Sequence, residues 1–245
     1  MLDLTGLALP PFAATALLLD LDGTLLDIAP TPDSVVVTPE LLATLAALRH
    51  LLGGALAVIS GRSVEQVDGF LRGIPSAVSG EHGGALRPTA NAAIERPDLP
   101  AAPPAWLAVA QALIAAHPGS LLERKARGFV LHYRLAPESG PAFHAGLAPL
   151  VATRATEFLL MAAHMAWEVR PLGTDKGSAL RRIMGRAPFV GRLPVFIGDD
   201  VTDRDAMAAA TALGGVGLFV PEIFGSAAAV RAWLARAVRD GEWPG

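Results

Sequence analysis

Two aspartates, Asp20 and Asp22, stand two residues apart where the apolar run Leu17-Leu18-Leu19 ends, and Gly23 and Thr24 follow them. Side chains two apart on an extended segment share a face, so both carboxylates are expected in one cleft. Two such charges repel by about 4 kcal/mol at 4 Å and an effective dielectric near 20. They call for a cation, a shared proton or solvent. A hard divalent ion suits them best, and Mg²⁺ in particular, which takes one or two carboxylates, several waters and a phosphate oxygen. The alternative is a strand end that opens an Asp-Gly turn.

A second acidic cluster, Gly198-Asp199-Asp200-Val201-Thr202-Asp203, follows the apolar run Val195-Phe196-Ile197. Asp199 is placed to complete a metal shell, while Asp200 and Asp203 suit an outer layer that orients it. Asp203 is equally placed to cap the next helix. Ser60-Gly61-Arg62-Ser63 ends a further apolar run and offers a hydroxyl and a helix start, which suits phosphate oxygens; an ordinary N-cap at Ser60 or Ser63 is the competing reading. Of the 20 basic residues only Lys125 and Lys176 are lysines. A compact ammonium does what a guanidinium cannot, and Lys176, in Thr174-Asp175-Lys176-Gly177, is expected to neutralise a nucleophile and a transferring phosphoryl group.

These groups need a scaffold that gathers strand ends. Apolar runs ending in small or acidic residues alternate with helical spacing, the pattern of a parallel α/β sheet. Strands are predicted over 16–21, 55–59, 76–79, 194–197 and 217–220. Helices are predicted over 39–52, with Thr38 as N-cap, and over 64–71, 176–184, 203–210 and 227–238. In an open sheet of this kind ligands collect at the carboxyl ends of strands. A different pattern interrupts it. A proline- and alanine-dense stretch over 88–104 precedes helices at 105–116 and 143–152 and strands at 121–125, 129–134, 157–161 and 166–170, an α+β insert. The predicted organisation is a Rossmann-like core over 1–87 and 173–245 with an α+β cap over 88–172.

The chain of 245 residues is 52% apolar and carries a formal charge of −3 with a pI near 6.1. Nucleic acid is therefore a poor partner, since non-specific binding to a phosphate backbone draws on a basic surplus. Zero cysteines exclude disulfides, thiolate metal sites and a cysteine nucleophile. No run is long enough to span a membrane. Asp3, Pro10, Pro11 and Asp20 interrupt the N-terminus as no secretory leader does, and a cytoplasmic protein is expected.

Taken in order, Asp20-Leu21-Asp22-Gly23-Thr24, Ser60, Lys176 and Gly198-Asp199-Asp200 resemble the four motifs of the haloacid dehalogenase superfamily of phosphotransferases. The resemblance implies that Asp20 attacks phosphorus and becomes an aspartyl phosphate, and that Asp22 protonates the leaving oxygen and then activates water. It implies Mg²⁺ on Asp20, the Asp22 carbonyl and Asp199, and phosphoryl oxygens on Gly23, Thr24, Ser60, Gly61 and Lys176. An insert between the second and third motifs is similar to the α+β cap of sugar phosphatases.

Glu123-Arg124-Lys125, His132-Tyr133-Arg134, Trp167-Glu168-Val169-Arg170-Pro171 and Gly80-Glu81-His82-Gly83 narrow the resemblance to the trehalose-6-phosphate phosphatases, over about 17–219. It implies that Glu123, Lys125 and Glu168 grip the hydroxyls of the distal glucose, with Arg62, His82, His132 and Arg134 as further substrate contacts. Carboxylates accept and an ammonium donates, as neighbouring hydroxyls require. For His132 a solvent-facing strand side competes. The substrate implied is a phosphorylated disaccharide, and a trehalose-6-phosphate synthase is the implied partner. Thr202-Asp203-Arg204-Asp205 departs from the pattern the resemblance implies, which places an acid where Arg204 stands, and this changes the local charge. Other capped sugar phosphatases such as a sucrose-phosphate phosphatase, a non-catalytic sugar-phosphate sensor and a phosphomutase are the rival readings.

Overall fold

The computed structural model describes residues 9–28, 35–163 and 165–244; Asp3, used above against a leader, lies outside them. The described residues divide into two compact units, Met1–Arg96 with Asp175–Gly245, and Pro97–Thr174.

The first unit is built on a six-stranded sheet. Its strands are β1 (Thr15–Leu19), β2 (Leu56–Ile59), β3 (Ala77–Gly80), β4 (Ala85–Arg87), β9 (Leu193–Gly198) and β10 (Val216–Phe219), in the order β10-β9-β1-β2-β3-β4. All neighbours are parallel except β4, which runs antiparallel on the edge. Helices α1 (Pro39–Leu51), α2 (Val64–Leu71), α5 (Lys176–Met184), α6 (Arg204–Ala212), α7 (Val220–Ile223) and α8 (Ala227–Asp240) make the crossovers and cover the faces.

Strands buried on both faces read as continuous apolar runs, and β1 and β2 are buried at every residue. Leu17, Leu19, Leu56 and Val58 pack with Leu41, Leu45, Val67, Trp233 and Leu234 on one side. Ala16, Leu18, Ala57, Ile59 and Phe196 pack with Ala179, Leu180, Ile183 and Ala206 on the other. Truncating any of these leucines to alanine would cost about 2–5 kcal/mol. Because Leu19 pairs with both Val58 and Ile197, the ends of β1, β2 and β9 come level. Sequence order reverses across β1, so the residues just beyond these three strands lie at the switch point of the sheet.

Thr38 caps α1 through the Leu41 amide as expected. Strand β4 is an element the sequence reading lacked; three residues are too few to show a period. The first unit also reaches further than composition suggested. The Leu86–Glu95 backbone pair and the ion pairs Arg186–Glu95 and Arg96–Glu81 tie the proline-rich stretch to it through Arg96.

The second unit is an antiparallel sheet of β5 (Leu121–Arg124), β6 (Phe129–His132), β7 (Phe158–Ala163) and β8 (Ala166–Pro171), ordered β5-β6-β8-β7. Helices α3 (Pro104–Ala116) and α4 (Gly140–Ala152) lie on one face, where Phe129, Leu131 and Val169 pack with Trp106, Phe143 and Leu147. Helix α4 begins three residues ahead of the expected start, and Pro141 fits its first turn, where no amide donor is needed. Among the described residues no helix is long and apolar enough to cross a membrane.

Candidate active site

Asp20 is the first residue beyond β1. Its amide donates to the Ile197 carbonyl at 2.9 Å, which continues the sheet pairing and aims a carboxylate that is only 4% exposed. Lys176 opens α5, whose N-terminus is fixed by a capping box between Asp175 and Ser178. Its Nζ donates to Asp20 Oδ1 at 2.5 Å and to Asp203 Oδ1 at 2.6 Å. Burial opposes the ammonium charge, but the two carboxylates outweigh it and hold Lys176 above the ordinary lysine range.

Asp203 is fully buried, and its Oδ2 accepts the amides of Asp199 and Asp200 at 3.0 Å each. It therefore ties Lys176 to the loop after β9 and does not cap α6, at whose start it makes no side-chain cap bond. Asp200 is exposed, and its Oδ1 accepts the Val201 amide. Thr24 Oγ1 donates to Asp199 Oδ1 at 3.0 Å. Burial raises the Asp199 carboxyl, with Asp203 adding to it and the Thr24 bond opposing it. Burial likewise raises Asp20, Lys176 opposes this, and Asp203 and Asp199 add to it.

One carboxylate oxygen each from Asp20, Asp199 and Asp203 lies within 4.8 Å of the others. Three buried or half-buried carboxylates against one lysine fit a hard, oxygen-seeking cation. Asp203 spends both oxygens on other donors, which leaves Asp20 and Asp199 as the side chains to hold it.

The turn after β1 gives Gly23 and Thr24 partners within the protein. Gly23 has φ +82°, and a Cβ there would lie 2.0 Å from Asp199 Oδ2, so only glycine lets the chain pass Asp199. Its amide donates to the Leu26 carbonyl at 2.7 Å. The Gly23 amide and Thr24 hydroxyl, expected on phosphate, are thus already engaged by the turn and by Asp199.

Asp22 turns its carboxylate to Arg62, Nε to Oδ2 at 2.6 Å and Nη2 to Oδ1 at 2.7 Å. Arg62 also lies over the Phe70 ring. Ser63 forms the capping box of α2 with Gln66, so Ser60 is not the cap of that helix. Ser60 is buried at the end of β2 and its Oγ accepts the Arg62 amide at 3.2 Å.

The loop after β3 braces this turn. The Glu81 and His82 amides donate to the Arg62 and Ser60 carbonyls at 2.9 and 3.0 Å. Both residues sit in the left-handed region, φ 55° and 52°, a strain of the kind that collects at working sites. The His82 ring occupies the space over Gly61, where a Cβ would meet it at 2.6 Å. Arg204, standing where the resemblance led to an acid being expected, lies 4.8 Å over the Phe219 ring.

In the second unit, Glu123 pairs with Val130, and Val130 with Glu168. Both carboxylates therefore stand on the sheet face turned away from α3 and α4. Lys125 Nζ is 3.7 Å from Glu123 Oε1 and 3.9 Å from Glu168 Oε1. His132 Nε2 is 2.7 Å from Glu123 Oε2; this bond lowers the Glu123 carboxyl, burial opposes it and Lys125 adds to the lowering. Arg134 does not join them. Strand β6 ends at His132, and Arg134 lies in an exposed turn, because the chain must reverse to enter α4.

The trehalose-phosphatase family model matches residues 18–221. The chain is 38% identical over 222 residues to the trehalose-6-phosphate phosphatase of Escherichia coli (strain K12), covering 90% of this chain and 81% of that protein. The solved structure of Aspergillus fumigatus trehalose-6-phosphate phosphatase matches with a TM-score of 0.62 at 25% identity, covering 94% of this chain and 93% of that one. A haloacid dehalogenase-like hydrolase from Bacteroides thetaiotaomicron shares the fold, with a TM-score of 0.59 at 14% identity over 91% of this chain and 98% of that one. With its paired strand-end carboxylates, buried lysine and family match across more than four-fifths of its length, the chain belongs to the trehalose-phosphatase family.

Proposed function

We infer that the protein hydrolyses trehalose 6-phosphate to trehalose and phosphate. The observation that carries this reading is the buried Asp20–Lys176–Asp203 cluster beside Asp199 in a chain of this family. Oxygen nucleophiles attack phosphorus best when the charge on both partners is screened. Lys176 already touches Asp20 and supplies that screening.

In the proposed reaction an Asp20 oxygen bonds to phosphorus while the bond from phosphorus to the sugar oxygen breaks. Asp22 gives that oxygen a proton, so trehalose leaves neutral and the phosphoryl group remains on Asp20. Asp22 then takes a proton from water, whose oxygen attacks phosphorus and returns Asp20 as a carboxylate. Mg²⁺, held by Asp20, Asp199 and the Asp22 carbonyl, would supply charge neutralisation for the transferring group. Ser60 and the Gly61 amide would hold phosphoryl oxygens.

Glu123, Lys125 and Glu168 would read the distal glucose, with His132 fixing the Glu123 carboxylate. The reaction belongs in the cytoplasm, downstream of a trehalose-6-phosphate synthase, which is the implied partner.

The test is phosphate release from trehalose 6-phosphate, sucrose 6-phosphate and glucose 6-phosphate in parallel, with Mg²⁺ and then with a chelator. Chelator-sensitive preference for trehalose 6-phosphate is expected. Preference for another sugar phosphate would keep the aspartate chemistry and discard the sugar reading. No release from any of the three would discard both.

A further inference from the structure

The register of the second sheet places one more residue beside the predicted sugar ligands. Along β8, Ala166, Glu168 and Arg170 alternate onto one face, while Trp167 and Val169 pack toward α3 and α4. Across the sheet, one row runs Glu123, Val130, Glu168, Met161. The next row begins where the Lys125 amide donates to the Gly128 carbonyl at 3.0 Å; one step beyond the Phe129–Val169 pair, Gly128 comes against Arg170, which pairs with Leu159. A Cβ on Gly128 would lie 2.0 Å from the Val169 carbonyl oxygen and 3.3 Å from the Arg170 Cα, so this position, directly before β6, carries no side chain.

The result is a two-by-two pattern. Two acceptors, Glu123 and Glu168, flank β6 in one row, and two cations, Lys125 and Arg170, flank it in the next. Strands β5 and β8 are separated by β6 alone, about 9–10 Å apart.

Arg170 is only 9% exposed, and its buried Nε has no hydrogen-bond partner. No described residue forms an ion pair with it. A guanidinium offers five donors and no acceptor, and a buried charge left without partners is costly. The neighbouring carboxylates would take hydroxyl protons, and the cations would give protons to hydroxyl or ring oxygens. A hexose hydroxyl donates and accepts at once, which is what adjacent acceptor and donor rows require.

We propose that Arg170 is a substrate-binding residue that donates to oxygens of the distal sugar, opposite Lys125 across the bare Gly128 position. This inference rests on the sugar reading given under the proposed function. Arg170 confers sugar specificity and takes no part in phosphoryl transfer.

The test compares the native chain, Arg170→Met and Arg170→Lys on trehalose 6-phosphate and on a small aryl phosphate. Inhibition by free trehalose and by inorganic phosphate, and the melting temperature, are measured on each. For Arg170→Met the KM for trehalose 6-phosphate and the inhibition constant of trehalose should rise about ten- to hundredfold. Aryl phosphate turnover and phosphate inhibition should stay within twofold, and the melting temperature should hold or rise, because an unpartnered buried cation has been replaced by an apolar chain.

Arg170→Lys should fall between the two, and it supplies the same comparison if the methionine variant does not fold. Unchanged trehalose affinity, a loss of phosphate inhibition instead, or equal losses on both substrates with a lower melting temperature would each overturn the proposal. Failure of the native chain to act on trehalose 6-phosphate would overturn the sugar reading itself, and the Arg170 role with it.

Discussion

Arg62 grips Asp22 at two points, Nε to Oδ2 at 2.6 Å and Nη2 to Oδ1 at 2.7 Å, while the Arg62 guanidinium is itself braced on the Phe70 ring. The carboxylate assigned to proton transfer is thereby paired with a cation from the loop after β2. A planar fork matched to a carboxylate fixes direction as well as distance.

The Arg62 pair predicts a leaving-group effect. Arg62→Ala should lower kcat on trehalose 6-phosphate at least tenfold, because a poor leaving oxygen needs a well-placed acid. Nitrophenyl phosphate, whose leaving group needs little protonation, should lose less than threefold. Equal losses on the two substrates would show that Arg62 serves the phosphate rather than Asp22. Stability should change by only about 1 kcal/mol, since Asp22 is one-third exposed.

Lys176 lies between two buried carboxylates. Lys176→Met should abolish turnover and destabilise the metal-free protein by about 3–5 kcal/mol, because Asp20 and Asp203 are left buried without their cation. Combining it with Asp20→Asn should recover part of that loss in urea unfolding without recovering activity. An additive double variant would remove the coupling inferred from the geometry.

The Glu123 carboxyl is held below its ordinary range, first by the bond to His132. A lowered folded value means that its stabilising contribution is present above the ordinary glutamate range and is lost as pH falls through the lowered one. Sugar affinity should therefore persist into acid that would neutralise a free glutamate. His132→Ala should move the acid limb of the KM profile to higher pH. A superimposable profile would show that His132 does not set the Glu123 charge.

Gly23→Ala should disable the site while the rest of the core stays folded. The added Cβ would fall 2.0 Å from Asp199 Oδ2, at a φ of +82° that itself disfavours an L side chain. The expected result is an Mg²⁺ activation constant raised at least tenfold with circular dichroism unchanged. An unaltered metal requirement would count against Asp199 as a ligand.

Strand ends, helix starts and paired acids were legible in the sequence because they depend on neighbours within a few residues. The runs that became β1, β2 and β9 announce buried strands, Thr38 and Ser63 announce helix N-termini, and the Asp20 and Asp199 clusters fall where the apolar runs stop. The motif order by itself marks the family resemblance.

What the sequence could not decide was which partner each polar atom chooses. Asp203 serves as well for a helix cap as for a clamp until Lys176, 27 residues away in sequence, is seen at 2.6 Å. Local sequence sets Thr24 toward a phosphate, and its hydroxyl lies on Asp199, 175 residues along the chain. Arg134 follows His132 at strand spacing, but the strand stops at His132. Arg170 stands out only once pairing sets it level with Gly128 and Lys125. Local sequence fixes backbone periodicity, since that is settled over a few residues; hydrogen-bond partners and burial depend on which distant segments the sheets bring together, and only the tertiary structure decides that.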